Sequence, residues 1–283
     1  MTAVPPEVGR ALAAFGSGQA VLRAAPAVVP LAGGLTNRAW RVTAGDVDWV
    51  VRVGGTRDAQ LGIDRRAELQ ALRAAAAHGL APSCVHAAPA RGVLVLEHVP
   101  GTVWSRDAAR APDGIDRIGR LFAALHAVPP PAELRDVEPS AAIARLLGVP
   151  PAGSAPVSRE CLAVRSRAAL AAVPRGARVL CHHDVHHRNV VDAGRLVLLD
   201  WEYAGVGDPA MDLAAYASYH DLEGPKRARL LAAYGPGVSR PALDGACAVF
   251  DCLQALWHDA AGTWDALAPG SRDALVARVT GPR

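Results

Sequence analysis

Three polar side chains within one short stretch have the types and spacing that phosphoryl transfer requires. Asp184 lies five residues before Asn189, and Asp200 lies eleven residues beyond Asn189. Apolar runs flank them: Val179-Leu180, Val190-Val191 and Leu196-Val197-Leu198-Leu199. The turn-forming Asp192-Ala193-Gly194 separates the last two runs, so the segment reads as loop, strand, tight turn, strand. Such a hairpin brings a carboxylate, a carboxamide and a second carboxylate to one end of a β-ribbon. One group can orient an attacking hydroxyl, and two oxygen ligands can hold magnesium on a triphosphate.

The same loop carries His182, His183, His186 and His187, and imidazole is the commonest transition-metal ligand. A zinc reading therefore competes. Against it, neighbouring histidines on a short loop point in divergent directions, and Asn189 and Asp200 are left unexplained.

The elements that must position these residues can be read on either side. The segment 6–15 suits a short helix, and Val28 onward runs from a strand into the glycine pair Gly33-Gly34. Residues 39–43 and 47–53 read as strands joined at Gly45-Asp46. Asp64 is placed to cap a helix that carries Glu68 in its first turn and runs to about His78, stopped by Gly79. Residues 92–101 form a buried-type strand ending in Pro100-Gly101. An amphipathic helix is predicted over 113–126, with Ile115, Ile118, Leu121, Phe122 and Leu125 in one stripe and His126 as a packing histidine. Helices are predicted at 141–148, at 159–173 (closed by Pro174 and Gly176), from Asp208, and at 225–234, 241–264 and 271–280.

Composition narrows the field. The chain has 283 residues, 51% hydrophobic and 20% charged, as in a globular protein. A net charge of +3 gives no reason to expect a nucleic-acid or membrane partner. Five cysteines, odd in number and without a C-x-x-C pair, predict free thiols and a cytoplasmic location. No secretory leader pattern and no apolar run of the ~20 residues needed to span a bilayer is read.

With these residues in view, His182-x-Asp184-x-x-x-x-Asn189 followed by Asp200-Trp201-Glu202 resembles the aminoglycoside phosphotransferase and choline kinase superfamily. The resemblance implies an α+β, two-lobed protein-kinase-like fold. A small antiparallel-sheet lobe with hinge would span 1–100, and a mainly helical lobe 101–283. It implies ATP and magnesium as cofactors and a small-molecule alcohol as acceptor. Asp184 would be the catalytic base, Asn189 and Asp200 the metal ligands. His182 would buttress the loop, and Asp212 would brace it from below.

Gly33-Gly34-Leu35-Thr36-Asn37 resembles the G-G-x-T-N nucleotide loop of choline- and thiamine-kinase-type enzymes. Glycines there let backbone amides approach phosphate, although the pair alone reads equally as a hairpin turn. The strand position that normally offers lysine to the phosphates holds Arg52, and the chain's single lysine, Lys226, lies far away. Arginine's fork suits phosphate oxygens, and Glu68 would be its partner. The hinge would bind adenine through the main chain of Glu97 and Val99.

For the acceptor, Trp201, Glu202, Tyr219, Trp257 and Trp264 are candidates for contacting a small cationic alcohol of the choline, ethanolamine or thiamine kind, through cation–π and charge contacts. Core packing is the competing reading for each aromatic. Trp257 and Trp264 would share a helix face if the helix continued through Gly262. The competing acceptor is an aminoglycoside or other sugar hydroxyl, for which Asp251, Asp259 and Asp265 could supply a dispersed acidic patch. A catalytically silent kinase-fold binding protein is a third reading, disfavoured because Asp184, Asn189 and Asp200 are all present.

Overall fold

The computed structural model describes residues 4–32, 34–173 and 176–281. The N-terminal part comprises α1 (Pro6–Ala13), α2 (Gly16–Arg23), β1 (Ala27–Leu31), β2 (Asn37–Ala44), β3 (Val47–Gly54), α3 (Asp58–Leu61), α4 (Arg65–Ala76), β4 (Cys84–Ala88) and β5 (Val93–Glu97). Its strands form one antiparallel sheet in the order β1-β2-β3-β5-β4. The β2–β3 hairpin closes on Ala44 opposite Val47, and Gly45 at φ +56° supplies the left-handed step of the two-residue turn.

Strand alternation then assigns the two faces. Trp40, Val42, Val51 and Val95 bury one face against Val8, Leu12 and Val21 of α1 and α2. Arg52 falls on the other face, toward α4. That helix begins where Asp64 accepts hydrogen bonds from the amides of Arg66 (2.9 Å) and Ala67 (3.1 Å), and Gly79 at φ +71° follows its end.

The C-terminal part follows with β6 (Thr102–Val103), α5 (Arg106–Arg110), α6 (Pro112–His126), α7 (Pro139–Gly148), α8 (Arg159–Ala172), β7 (Val179–Cys181), β8 (Val190–Asp192), β9 (Leu196–Leu198) and β10 (Gly205–Gly207). Then come α9 (Pro209–Tyr219), α10 (Gly224–Tyr234), α11 (Arg240–Ala261) and α12 (Pro269–Thr280). The expected hairpin is β8–β9, extended by β6, while β7 pairs with β10. Helix α11 is the central post, packing against α7, α8, α9 and α12. The fold is thus the expected α+β one, a small antiparallel sheet followed by a mainly helical body. One large apolar cluster, including Leu72 and Leu94 as well as Phe122, Leu213 and Leu256, runs across both parts.

Two sequence expectations need correction or fall away. The long helix stops at Ala261 because Gly262 takes φ +69°, a left-handed C′ cap, and Trp264 opens a separate 3-10 turn. Trp257 and Trp264 therefore do not share a helix face. Pro174, expected to close the helix at 159–173, lies outside the described residues. None of the five cysteines is in a disulfide. Among the described residues, no helix is long and apolar enough to cross a membrane.

Replacing Asp64 with Ala removes the cap of α4 and should cost about 1 kcal/mol. A fall in Tm of about 2–4 °C, measured by calorimetry, is the expected outcome; an unchanged Tm would show that the cap carries no stability.

Candidate functional site

The loop between β7 and β8 is built over a buried carboxylate. Asp208 caps α9 with Pro209 at N1, which places Asp212 in the first turn, fully buried. Asp212 Oδ2 accepts from the His182 amide (2.9 Å) and Oδ1 from the His183 amide (2.6 Å). His126 Nε2 donates to Oδ2 at 3.1 Å, and its other ring nitrogen meets the Tyr234 hydroxyl at 3.0 Å. Burial would raise the acid's pKa, but the His126 hydrogen bond, the neighbouring histidines and the backbone amide outweigh it and hold it at about 2. His182 completes the support, with Nε2 donating to Leu199 O (2.9 Å), Nδ1 accepting from the Asp184 amide (3.3 Å), and its ring 4.7 Å from that of Trp201.

Above this brace the three chemistry-bearing residues come together. Asn189 Nδ2 donates to Asp184 O (2.9 Å) and Oδ2 (3.3 Å), and Tyr219 hydroxyl donates to Asp184 Oδ1 (2.8 Å). The Leu199 amide donates to Asn189 O at 2.8 Å, which fixes Asp200 beside Asn189 across the hairpin. His183 at φ +66° and Asp200 at φ +60° are two of four non-glycine residues with left-handed φ among the described ones. Such conformations cost on the order of 1 kcal/mol or more each and cluster at functional sites.

The donor set is hard oxygen: the Asn189 side-chain carbonyl, left free by the outward use of its amide, and the Asp200 carboxylate. That set fits magnesium. The four histidines instead diverge, His182 onto Leu199 O, His183 against Gly207, His186 over the Tyr219 ring (5.1 Å), and His187 onto His220 (3.3 Å). The His126–Cys181–Asp212 group lies behind the loop, with its histidine and aspartate already hydrogen-bonded.

The hairpin is joined to the sheet and α4 by arginine–carboxylate contacts. Arg52 pairs with Glu68 and, through Nη1, with Asp200 Oδ1 at 2.9 Å. Burial pushes the Asp200 carboxyl up, aided by Glu68 and Asp184 and opposed by Arg52. Arg65, which belongs to no motif in the sequence, ties four groups together. Its Nη1 donates to Glu68 and Glu202 (3.0 Å each), its Nη2 to Asn37 (2.9 Å) and Asp58 (2.8 Å), and its Nε to Asp58 (2.7 Å). Glu202 also accepts from Thr36 (2.6 Å) and Asn37 (2.7 Å). Burial, together with Asp200, pushes its carboxyl up to about 7. Glu202 is therefore engaged with the sheet rather than turned to an acceptor.

The remaining candidates separate cleanly. Gly34 sits against Asn37, where a Cβ would collide with the Asn37 carbonyl; Gly33 lies outside the described residues. Glu97 ends β5 opposite Trp49, and Val99 follows in the link to β6. Trp201 (1% exposed) and Trp264 (4% exposed) are core residues, and Trp201 Nε1 donates to Leu198 O. Neither offers a ring face to a ligand, because adjacency to Asp200 in the chain does not carry over to direction in space. Trp257, half-buried, donates from Nε1 to the Tyr203 hydroxyl (2.7 Å), and Tyr203 lies within electrostatic reach of Asp184. Tyr219 thus touches Asp184 directly, and Trp257 is tied to Tyr203.

The depressed pKa of Asp212 makes its contribution pH-dependent. The stability it adds is fully present above the ordinary carboxylate pKa and is lost as pH falls through about 2. A carboxyl brought from its ordinary value down to about 2 is stabilised in its charged form by about 2–3 kcal/mol. Wild type should exceed Asp212→Asn by about that margin at pH 7 in urea unfolding, the gap narrowing from about pH 4 downward; a constant gap would contradict the assignment.

Comparison with known proteins agrees with this geometry. Residues 27–270 match the family described as the phosphotransferase enzyme family (APH). A choline/ethanolamine kinase family protein from Mesorhizobium loti is 28% identical, with TM-score 0.69, covering 97% of this chain and 99% of that one. The choline kinase LicA from Streptococcus pneumoniae is 20% identical, with TM-score 0.73 over 89% of this chain and 94% of its own, and has also been solved with AMP. The macrolide 2'-phosphotransferase MphH from Brachybacterium faecium is 23% identical, with TM-score 0.60 over 90% and 93%. The chain belongs to the phosphotransferase enzyme family, as a small-molecule, ATP-dependent kinase with the protein-kinase-like fold.

Proposed function

We propose that the protein transfers the γ-phosphoryl group of ATP, held with magnesium, to the hydroxyl of a small alcohol bearing an ammonium group, of the choline, ethanolamine or thiamine kind. The observation that carries this reading is the clamped carboxylate of Asp184, held by Tyr219 and Asn189.

In this reading Asp184 accepts the proton of the alcohol. The transition state is loose, so the base chiefly orients the hydroxyl, which a carboxylate fixed by two donors does well. Asn189 and Asp200 hold magnesium, which when bound neutralises charge on the phosphates. Arg52, oriented by Glu68, addresses the phosphates, Gly34 and Asn37 shape the loop over them, and the main chain of Glu97 and Val99 receives adenine. The lobes divide near residue 100, where the sheet has ended at Glu97 and β6 begins at Thr102.

An ammonium group is favoured by Tyr203, Tyr219 and Trp257, since aromatic faces attract cations by about 0.5–2 kcal/mol each. Similarity to the M. loti protein points the same way. A polycationic sugar is disfavoured by the fate of the acids it would need. Asp251 is buried against Arg278 (3.0 Å), Asp259 is buried against Arg159, and only Asp265 stands exposed.

Asp184→Ala should lower turnover by ~10²–10⁴-fold while nucleotide binding survives, and Asp200→Ala should abolish magnesium-dependent nucleotide binding. Normal turnover in both variants would end this reading. Scoring ADP release on choline, ethanolamine, thiamine, aminoglycosides and macrolides distinguishes the acceptors. Trp257→Ala should raise KM for the ammonium acceptor about 3- to 30-fold without changing KM for ATP; an equal rise in both would count against an acceptor contact.

A further inference from the structure

Two arginines on the acceptor side have no carboxylate within ion-pair distance among the described residues. Arg135, in the link between α6 and α7, donates from Nη1 to Gly62 O (2.8 Å) and from Nε to Ala204 O (3.4 Å). Its backbone is fixed, because its carbonyl accepts from the Val206 amide at 2.9 Å. Arg145, near the end of α7, reaches the same place: a Cβ on Gly62 would collide with its guanidinium. Gly62, at φ +76°, is thus the point on which both side chains converge.

Arg159, Arg178, Arg227 and Arg278 of the same part are paired with carboxylates, and Arg120, Arg167, Arg188 and Arg195, which are not, stand exposed; what sets Arg135 and Arg145 apart is their convergence on one glycine. Burial lowers the pKa of both Arg135 and Arg145, and for Arg135 the Arg145 charge adds to the effect. Arg135 is half-buried and Arg145 exposed, so two like charges meet at the surface end of this site, and an anion joining them relieves their repulsion. Their placement says which anion. Arg135 Nε meets the carbonyl of Ala204, next in the chain to Tyr203, whose hydroxyl accepts from Trp257 Nε1 at 2.7 Å, so the pair lies beside the aromatic residues proposed for the acceptor. The wall beside them is fixed, since α3 packs on α7 and α11 and Arg57 donates to the carbonyls of Ala260 and Ala261 at the end of α11.

We propose that Arg135 and Arg145 form an anion subsite for the acceptor, so that the alcohol phosphorylated carries a carboxylate or a phosphate ester in addition to its ammonium group. Two guanidinium forks suit either oxyanion through paired N–H donors. The inference rests on the reading of Asp184 as the base that receives the hydroxyl.

The test uses the full-length protein and Arg145→Gln, which changes an exposed residue and leaves the Arg135 contacts in place. Acceptors are compared in matched pairs by ADP release: L-homoserine against 3-aminopropan-1-ol for the carboxylate, and phosphoserinol against serinol for the phosphate. In at least one pair, the wild type should favour the anionic member by about tenfold or more in kcat/KM. Arg145→Gln should lower that ratio about tenfold through KM, and the distant Arg23→Gln should not. The pair that responds names the anion. Equal turnover within both pairs, or a ratio untouched by Arg145→Gln, would overturn the subsite.

If no member is turned over, calorimetry decides, with malonate and inorganic phosphate titrated into enzyme saturated with magnesium and a non-hydrolysable ATP analogue. Binding weakened about tenfold or more in Arg145→Gln supports the subsite; absent binding, or binding equal in both proteins, refutes it. Failure of the nucleotide analogue to bind would instead refute the underlying phosphotransfer reading.

Discussion

A carboxylate sealed from water must be satisfied by the protein, and Asp212 is satisfied by the loop that carries Asp184. Its two oxygens take the amides of His182 and His183 and the ring of His126. An uncompensated buried charge is far costlier than a lost surface contact, so the loop cannot drift without exposing that cost. From this anchor the geometry propagates outward. His182 reaches Leu199, Leu199 pairs with Asn189, and Asn189 holds Asp184. Asp184 and Asn189 are thus placed by residues packed behind them.

The second dependence is electrostatic and spans the cleft. Arg52 and Arg65 lie between Glu68 on one side and Asp200 and Glu202 on the other. Burial first, and the neighbouring carboxylates second, push the Asp200 and Glu202 carboxyls up. Shared guanidiniums relieve that repulsion and set the position of the sheet over the hairpin. Arginine suits the task because one planar fork satisfies several carboxylates at once.

What is legible in the sequence is what is local. The hairpin can be read because its apolar runs and turn lie close together in the chain, and α4 because Asp64 and Gly79 bracket it. The role of Asp212 comes through the resemblance and has a plain structural basis. What stays hidden is long-range: Glu202 meets Thr36, Asn37 and Arg65 from a distant part of the chain, and only the spacing of Arg65 and Glu68 in one helical turn hints at the hub. The tryptophans mislead for a related reason. Trp201 follows Asp200 directly, yet its indole turns to Leu198 O, and Gly262 breaks the helix that would have aligned Trp264 with Trp257.

The apolar cluster that passes from α4 and Leu94 into the helical body has a mechanical meaning. Swinging the sheet away from the helices would strip that surface into water at roughly 25 cal/mol for every Å² uncovered. Wide opening is therefore resisted by the same oil that holds the halves together, and small sliding displacements are the easier motion. Sheet and hairpin thus keep one mutual arrangement with a little play, and the charges that meet between them stay in register.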